Sequence, residues 1–163
     1  MSVELFKKDI EHWINNWVSV HNEQLGTIPC PFAKQAMVRD KIAWRVADSP
    51  DQLEIILYAL MEEGMPNEVV ANGIDPQKIT PEELSSITKK ANDVWLMPCG
   101  LVALEDHPHD IEVVNGATMN QGTWALVLLQ ESSKLKAASD ILRKQGYYDR
   151  WTQEQLDDVV NWR

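Results

Sequence analysis

The densest run of coordinating side chains in this sequence is Glu105-Asp106-His107-Pro108-His109-Asp110. Two imidazoles at i and i+2 of an extended segment point to one side, so both could reach a single metal ion. The neighbouring carboxylates could complete a borderline-ion site for iron, zinc or manganese, with His107, His109 and Asp110 as ligands. Without a metal the same groups do acid–base work, with Glu105 or Asp106 as the orienting carboxylate. His-x-His alone is not a metal motif. The bland alternative is a solvated loop stiffened by Pro108.

A second candidate is Ile28-Pro29-Cys30-Pro31-Phe32-Ala33-Lys34. Flanking prolines restrict the backbone of Cys30, and a nearby Lys34 would lower the pKa of its thiol, giving a nucleophile or a thiolate ligand. Against this, free cysteine is among the most buried residue types, and Phe32 reads as a core plug. Cys99, in Met97-Pro98-Cys99-Gly100, reads as structural. The sequence has no Walker loop, no Gly-x-Gly-x-x-Gly, no Gly-x-Ser-x-Gly and no His-Glu-x-x-His, which counts against nucleotide binding, serine hydrolysis and zincin chemistry.

The elements that must position these groups follow from periodicity. Val3, Phe6, Ile10, Trp13, Ile14, Trp17 and Val18 form the stripe of an amphipathic helix reaching to about Asn22. Lys41 to Ala47 alternates as a strand with Ile42, Trp44 and Val46 on one face. Ser49-Pro50 opens a helix that ends at Gly64, and Glu68 to Ile74 is a second strand. Thr80-Pro81-Glu82-Glu83 caps a helix through Leu84, Ile87, Ala91, Val94 and Trp95, closed by Pro98 and Gly100. Leu101 to Glu105 and Thr123 to Gln130 are further strands, separated by a polar loop whose Asn115-Gly116 supplies hairpin-turn chemistry. Helices from Ser132 or Ser133 to Gly146, and from Thr152 onward, end the chain.

This order predicts a single α+β domain over residues 1–163: a mixed four-stranded sheet packed with helices, plus an added N-terminal amphipathic helix. At least one parallel crossover is required, the third and fourth strands can pair as a long-looped hairpin, and ferredoxin-like packing is one variant. Composition sets further bounds. With 15 Lys plus Arg against 25 Asp plus Glu, the net charge of −10 argues against nucleic acid or an anionic membrane surface as partner. Two distant cysteines make no disulfide framework and fit a reducing cytoplasm. No secretory leader is expected from the N-terminal residues, and no stretch approaches the roughly 18 apolar residues that span a bilayer.

The amphipathic Trp-bearing helix, Cys30-Pro31-Phe32-Ala33-Lys34, and the later His107-Pro108 together resemble, at a distance, the bacterial domain-of-unknown-function family 1415. That family carries a Leu-Cys-Pro-Phe-Ala-Lys signature near its start and a Phe-His-Pro signature after a later strand. Here Asp106 replaces the Phe, and the family's Arg-Ser-Pro-Tyr-Pro stretch has no counterpart. The resemblance implies that Cys30 and His107 belong to one site; it brings no assigned reaction.

The leading expectation is a small cytoplasmic enzyme, a metal-dependent oxidoreductase or hydrolase, whose pocket joins the Cys30 loop to the Glu105–Asp110 loop. Cys30, Lys34, His107 and Glu105 would be its catalytic groups, and the substrate a small molecule. The alternative is a non-catalytic ligand-binding or interaction module. It would be a homo-oligomer held by the Trp13/Trp17 stripe and the Trp151/Trp162 segment.

Overall fold

Apolar stripes decide where the helices lie. In the computed structural model, which describes residues 2–163, helix α1 (Val3–Trp13) starts at Ser2, whose hydroxyl accepts from the Leu5 amide at 3.1 Å. Its buried residues, Phe6 and Ile10, continue into Ile14 and Val18 on a π-helical turn, Ile14–Val18. The side-chain amides of Asn15 and Asn16 donate to the Glu11 and His12 carbonyls at 2.9 and 2.7 Å. That competition for acceptors widens the turn, and the Ser19 amide reaches the Ile14 carbonyl. The helix expected to run unbroken to Asn22 is divided there for this reason.

The chain then forms α2 (Ala33–Val38), β1 (Ile42–Ala47), α3 (Pro50–Glu63), β2 (Val69–Ile74) and α4 (Pro81–Ala91). A π-helical turn, Asn92–Leu96, and a short 3-10 turn, Met97–Cys99, extend α4 toward β3 (Leu101–Asp106). After it come a small hairpin, β4 (Val113–Val114) and β5 (Ala117–Thr118), then β6 (Ala125–Glu131) and α5 (Ser132–Lys144). Helix α6 (Gln153–Leu156) and a third π-helical turn, Asp157–Asn161, complete the fold. The caps read from sequence are present: Ser49 accepts from Gln52, and Thr80 with Glu83 closes a full capping box. Thr152 with Gln155 closes another. The hairpin turns at Asn115 and Gly116, whose φ values of 51° and 86° suit the twist of two antiparallel strands.

The four long strands form one mixed sheet in the order β1-β2-β6-β3. β1 and β2 are parallel neighbours, whereas β6 runs antiparallel to both β2 and β3. The predicted crossover and the predicted long-looped pairing are both present. β2 and β3 are therefore parallel with β6 inserted between them, a split β-α-β unit shared with ferredoxin-like sheets. The directly adjacent parallel pair β1–β2 sets this sheet apart from that arrangement.

Both faces of the sheet are covered. On one, Ile42, Trp44 and Val46 meet α1 and its π turn around Phe6, Ile10, Trp124 and Leu126. On the other, Ala47, Val70, Ile74, Ala103 and Val127 meet Leu53 and Leu57 of α3 and Leu84 and Ala91 of α4. Central strand β2 is buried on both sides, and edge strand β3 brings its far end to the protein surface. No helix is long and apolar enough to cross a membrane among the described residues.

Candidate functional site

Strand β3 has β6 on one side only. Backbone groups on its other side point outward and need partners that a sheet does not give. Buried Asn92 supplies them at one residue, donating to the Ala103 carbonyl at 2.9 Å and accepting from the Ala103 amide at 2.8 Å. Its side chain thus imitates one rung of a further strand. Beyond this rung a cleft of about 720 Å³ opens between α4, the end of β3, the loop after it and the C-terminal π turn. Two of the three π turns, at Asn92–Leu96 and Asp157–Asn161, contribute to its wall.

The wall is acidic. Glu105 and Asp106 come from β3, Asp110 and Glu112 from the loop, and Asp158 from the C-terminal turn. Burial holds the Glu105 carboxyl above its ordinary pKa, opposed by the Ser85 and Thr88 hydroxyls and reinforced by Asp110. Burial also raises Asp106, although Asn120 donates to it at 2.6 Å and draws it partly back. Glu112 is raised by burial first and then by repulsion from Asp106, Asp110 and Asp158. Asp110 raises Glu105, Asp106 and Glu112 alike by repulsion, and Asp158 adds to Glu112.

Little positive charge answers them. Lys89 is already taken by Asp93 at 2.6 Å. Arg163 donates to Ser139 Oγ at 3.2 Å, and burial lowers its pKa. Thr88 is 4% exposed and lines the cleft; its hydroxyl approaches Glu105 closely enough to affect it, yet completes no hydrogen bond of its own. Leu84, Met97, Val159 and Trp162 add apolar surface between the charges.

His107 is placed differently from the sequence expectation. Instead of an extended segment, residues 107–110 turn, with the Asp110 amide bonded to the His107 carbonyl at 3.0 Å. The ring is buried, and both nitrogens are engaged. Nδ1 accepts from the His109 amide at 3.1 Å, which leaves Nε2 to donate to the Ile79 carbonyl at 3.0 Å. Its role is to tie the end of β3 to the segment preceding α4. His109 is exposed, its ring centroid 5.2 Å from that of His107 and tilted by 59°. The expected His107, His109 and Asp110 ligand set is not assembled: among the described residues, no three His, Cys, Asp or Glu side chains converge as a metal site.

Cys30 and Lys34 do not line the cleft. Half-buried Cys30 packs against the α1-side core, its amide donating to the Val18 carbonyl at 2.9 Å, and Lys34 is exposed on α2. Beside it, the Tyr147 hydroxyl donates to the Ile28 and Pro29 carbonyls, and burial with the adjacent Cys30 drives its pKa upward. The prolines therefore shape a structural corner. Cys99 is exposed in its short turn. Trp13 and Trp17, the stripe expected to hold a second copy, are partly covered by the α1-side core. Of the expected site residues, the cleft gathers Glu105, Asp106, His107 and Asp110.

Thr88, Asn92, Glu112 and Asp158 were not singled out from the sequence. Thr88 left one signal, a hydroxyl at the buried spacing Leu84–Thr88–Ala91 of α4. No protein-family model matches the chain, and neither a curated protein nor a solved structure is significantly similar to it. The resemblance to family 1415 rests on its two short motifs.

Proposed function

We propose that this protein binds a small, positively charged organic molecule in the cleft beside β3. One observation carries the reading: five carboxylates line one cleft, Glu105, Asp110, Glu112 and Asp158 at exposed residues and Asp106 at a half-buried one, and Lys89 is already neutralised by Asp93. Bringing like charges together is unfavourable, and a bound cation relieves the repulsion. Two unpaired thiols, Cys30 and Cys99, support a reducing compartment, and we take it to be the cytoplasm.

The second reading is an acid–base enzyme, a hydrolase acting on such a ligand. It is favoured by Glu105, whose carboxyl, held above its ordinary pKa by desolvation beside the Ser85 and Thr88 hydroxyls, could give a proton to a ligand in the cleft. The test is calorimetric titration at low salt with ammonium and guanidinium compounds, manganese and zinc ions, and anions of similar size as controls. Organic cations should bind and anions should not, with affinity falling as salt rises. An affinity unchanged by a combined Glu105→Gln, Glu112→Gln substitution would place the ligand elsewhere.

A further inference from the structure

The outer strands of a sheet carry backbone groups that no neighbouring strand serves, and the two edges of this sheet are finished differently. On β1 the Lys41 carbonyl accepts from the Val69 amide, so Ala43 and Arg45 face β2 and Trp44 faces outward. The Arg45 guanidinium donates to that outward carbonyl at 2.9 Å, and a charged side chain guards the edge. On β3 the Ser132 amide donates to the Gly100 carbonyl at 2.9 Å and fixes the ladder. Val102, Leu104 and Asp106 then face β6, whereas Ala103 and Glu105 face outward. Asn92 fills the outward position at Ala103. At Glu105, the next position, neither N–H nor C=O has a hydrogen-bond partner among the described residues, and the residue is exposed in the cleft. One rung of a further strand is taken by a side chain; the next is open.

We infer that the open rung at Glu105 takes a short, extended peptide segment of another molecule, with Lys or Arg at the residue opposite Glu105. This rests on the cation-binding reading above and names what carries the charge. A backbone N–H and C=O presented together at a sheet edge are matched by a peptide backbone, which offers both groups; a simple amine offers only donors. A residue paired with Glu105 projects its side chain to the same face as the Glu105 carboxylate, where opposite charges stabilise a cross-strand pair. A second copy of this chain is the poorer occupant, because it would bring its own net charge of −10 against the same carboxylates. The segment is short: Asn92 closes the edge on one side, and the turn over residues 107–110 ends the strand on the other.

The test titrates acetyl-alanyl-lysyl-alanine amide and n-butylamine separately into the intact, isotope-labelled protein, followed by amide NMR. The peptide should shift the Glu105 amide resonance. It should also bind at least about fivefold more tightly than n-butylamine, since one net backbone hydrogen bond of about 1 kcal/mol is worth a factor of that order. Methylating the peptide's backbone nitrogens should remove the advantage, and exchanging lysyl for glutamyl should weaken binding about tenfold. Glu105→Gln should narrow the lysyl–glutamyl difference and preserve the effect of methylation, because the backbone is unchanged. A peptide no tighter than n-butylamine, or indifferent to methylation, would overturn the paired segment and leave the cation site standing. Equal binding of the lysyl and glutamyl peptides would overturn the cation reading and the basic residue with it. Absence of binding by all of these compounds would overturn both.

Discussion

Asn92 shows how one side chain can hold a site open. Its amide satisfies both backbone groups of Ala103 on the outer side of β3, and nothing else in the cleft wall does so. Replacing it with Ala leaves a buried N–H and a buried C=O unpaired, a loss of about 2–4 kcal/mol when both are counted. Asn92→Ala should therefore lower the urea midpoint strongly. Asn92→Asp, which keeps the acceptor for the Ala103 amide and loses the donor to its carbonyl, should fall between the two. Equal stability of all three proteins would mean that water serves this edge as well as the side chain does. His107 works similarly, through Nε2 to Ile79 and Nδ1 from His109. A histidine in a polar run reads as a ligand until its two partners are known.

Among the elements, α1 is positioned by the absence of a side chain. Gly73 of β2 faces Phe6, and a Cβ there would fall 2.5 Å from the ring. Phe6 in turn sits edge-on to Trp44 and Trp124, with centroids at 5.8 and 4.9 Å. Gly73→Ala should cost about 1–3 kcal/mol through overpacking, and should alter the near-ultraviolet circular dichroism of the two tryptophans as α1 shifts outward. Unchanged stability and spectrum would show that α1 is less closely seated on the sheet. The helix caps were legible beforehand because Ser49, Thr80 and Thr152 act within three residues of themselves. The π turns were not. They depend on what Asn15, Asn16 and Asn92 find to bond with, and for Asn92 that partner lies eleven residues away on β3.

At the scale of the whole molecule, one sheet serves both cores, and the acidic wall is built where the sheet ends. The wall makes stability depend on pH in a stated direction. Glu105, Asp106 and Glu112 have folded-state pKa values raised mainly by burial. Such groups take up a proton more readily folded than unfolded, so their contribution is complete below the unfolded carboxylate pKa and is lost as pH rises through the folded values. Asp157, lowered by its bonds from Asn161 and Gln153, acts oppositely and only in the more acidic range. The ligand-free protein should thus melt at a higher temperature in mildly acidic than in mildly alkaline buffer, since the three raised carboxyls lose their favourable proton as pH rises. A bound cation should shrink that difference. A Tm that rises steadily from acid to alkaline pH would contradict the raised pKa values of these three groups.

What the sequence determined by itself was most of what acts over short range: the four long strands, helices α3, α4 and α5, the caps of α3, α4 and α6, the Asn115-Gly116 turn, and the α+β class with a mixed sheet, but not α2 or the π turns. Period and capping are properties of residues within a few positions of one another. Within the candidate site the same holds for Glu105, Asp106 and Asp110, neighbours on one strand end and turn. Only the tertiary structure decided that β3 lies at the sheet edge, so that Asp158 and Glu112 line one cleft with Glu105 while Cys30 stays with the α1-side core. Strand order and helix docking depend on how all the apolar faces are buried together. A carboxylate more than fifty residues away joins a site through that global packing, and no local pattern announces it.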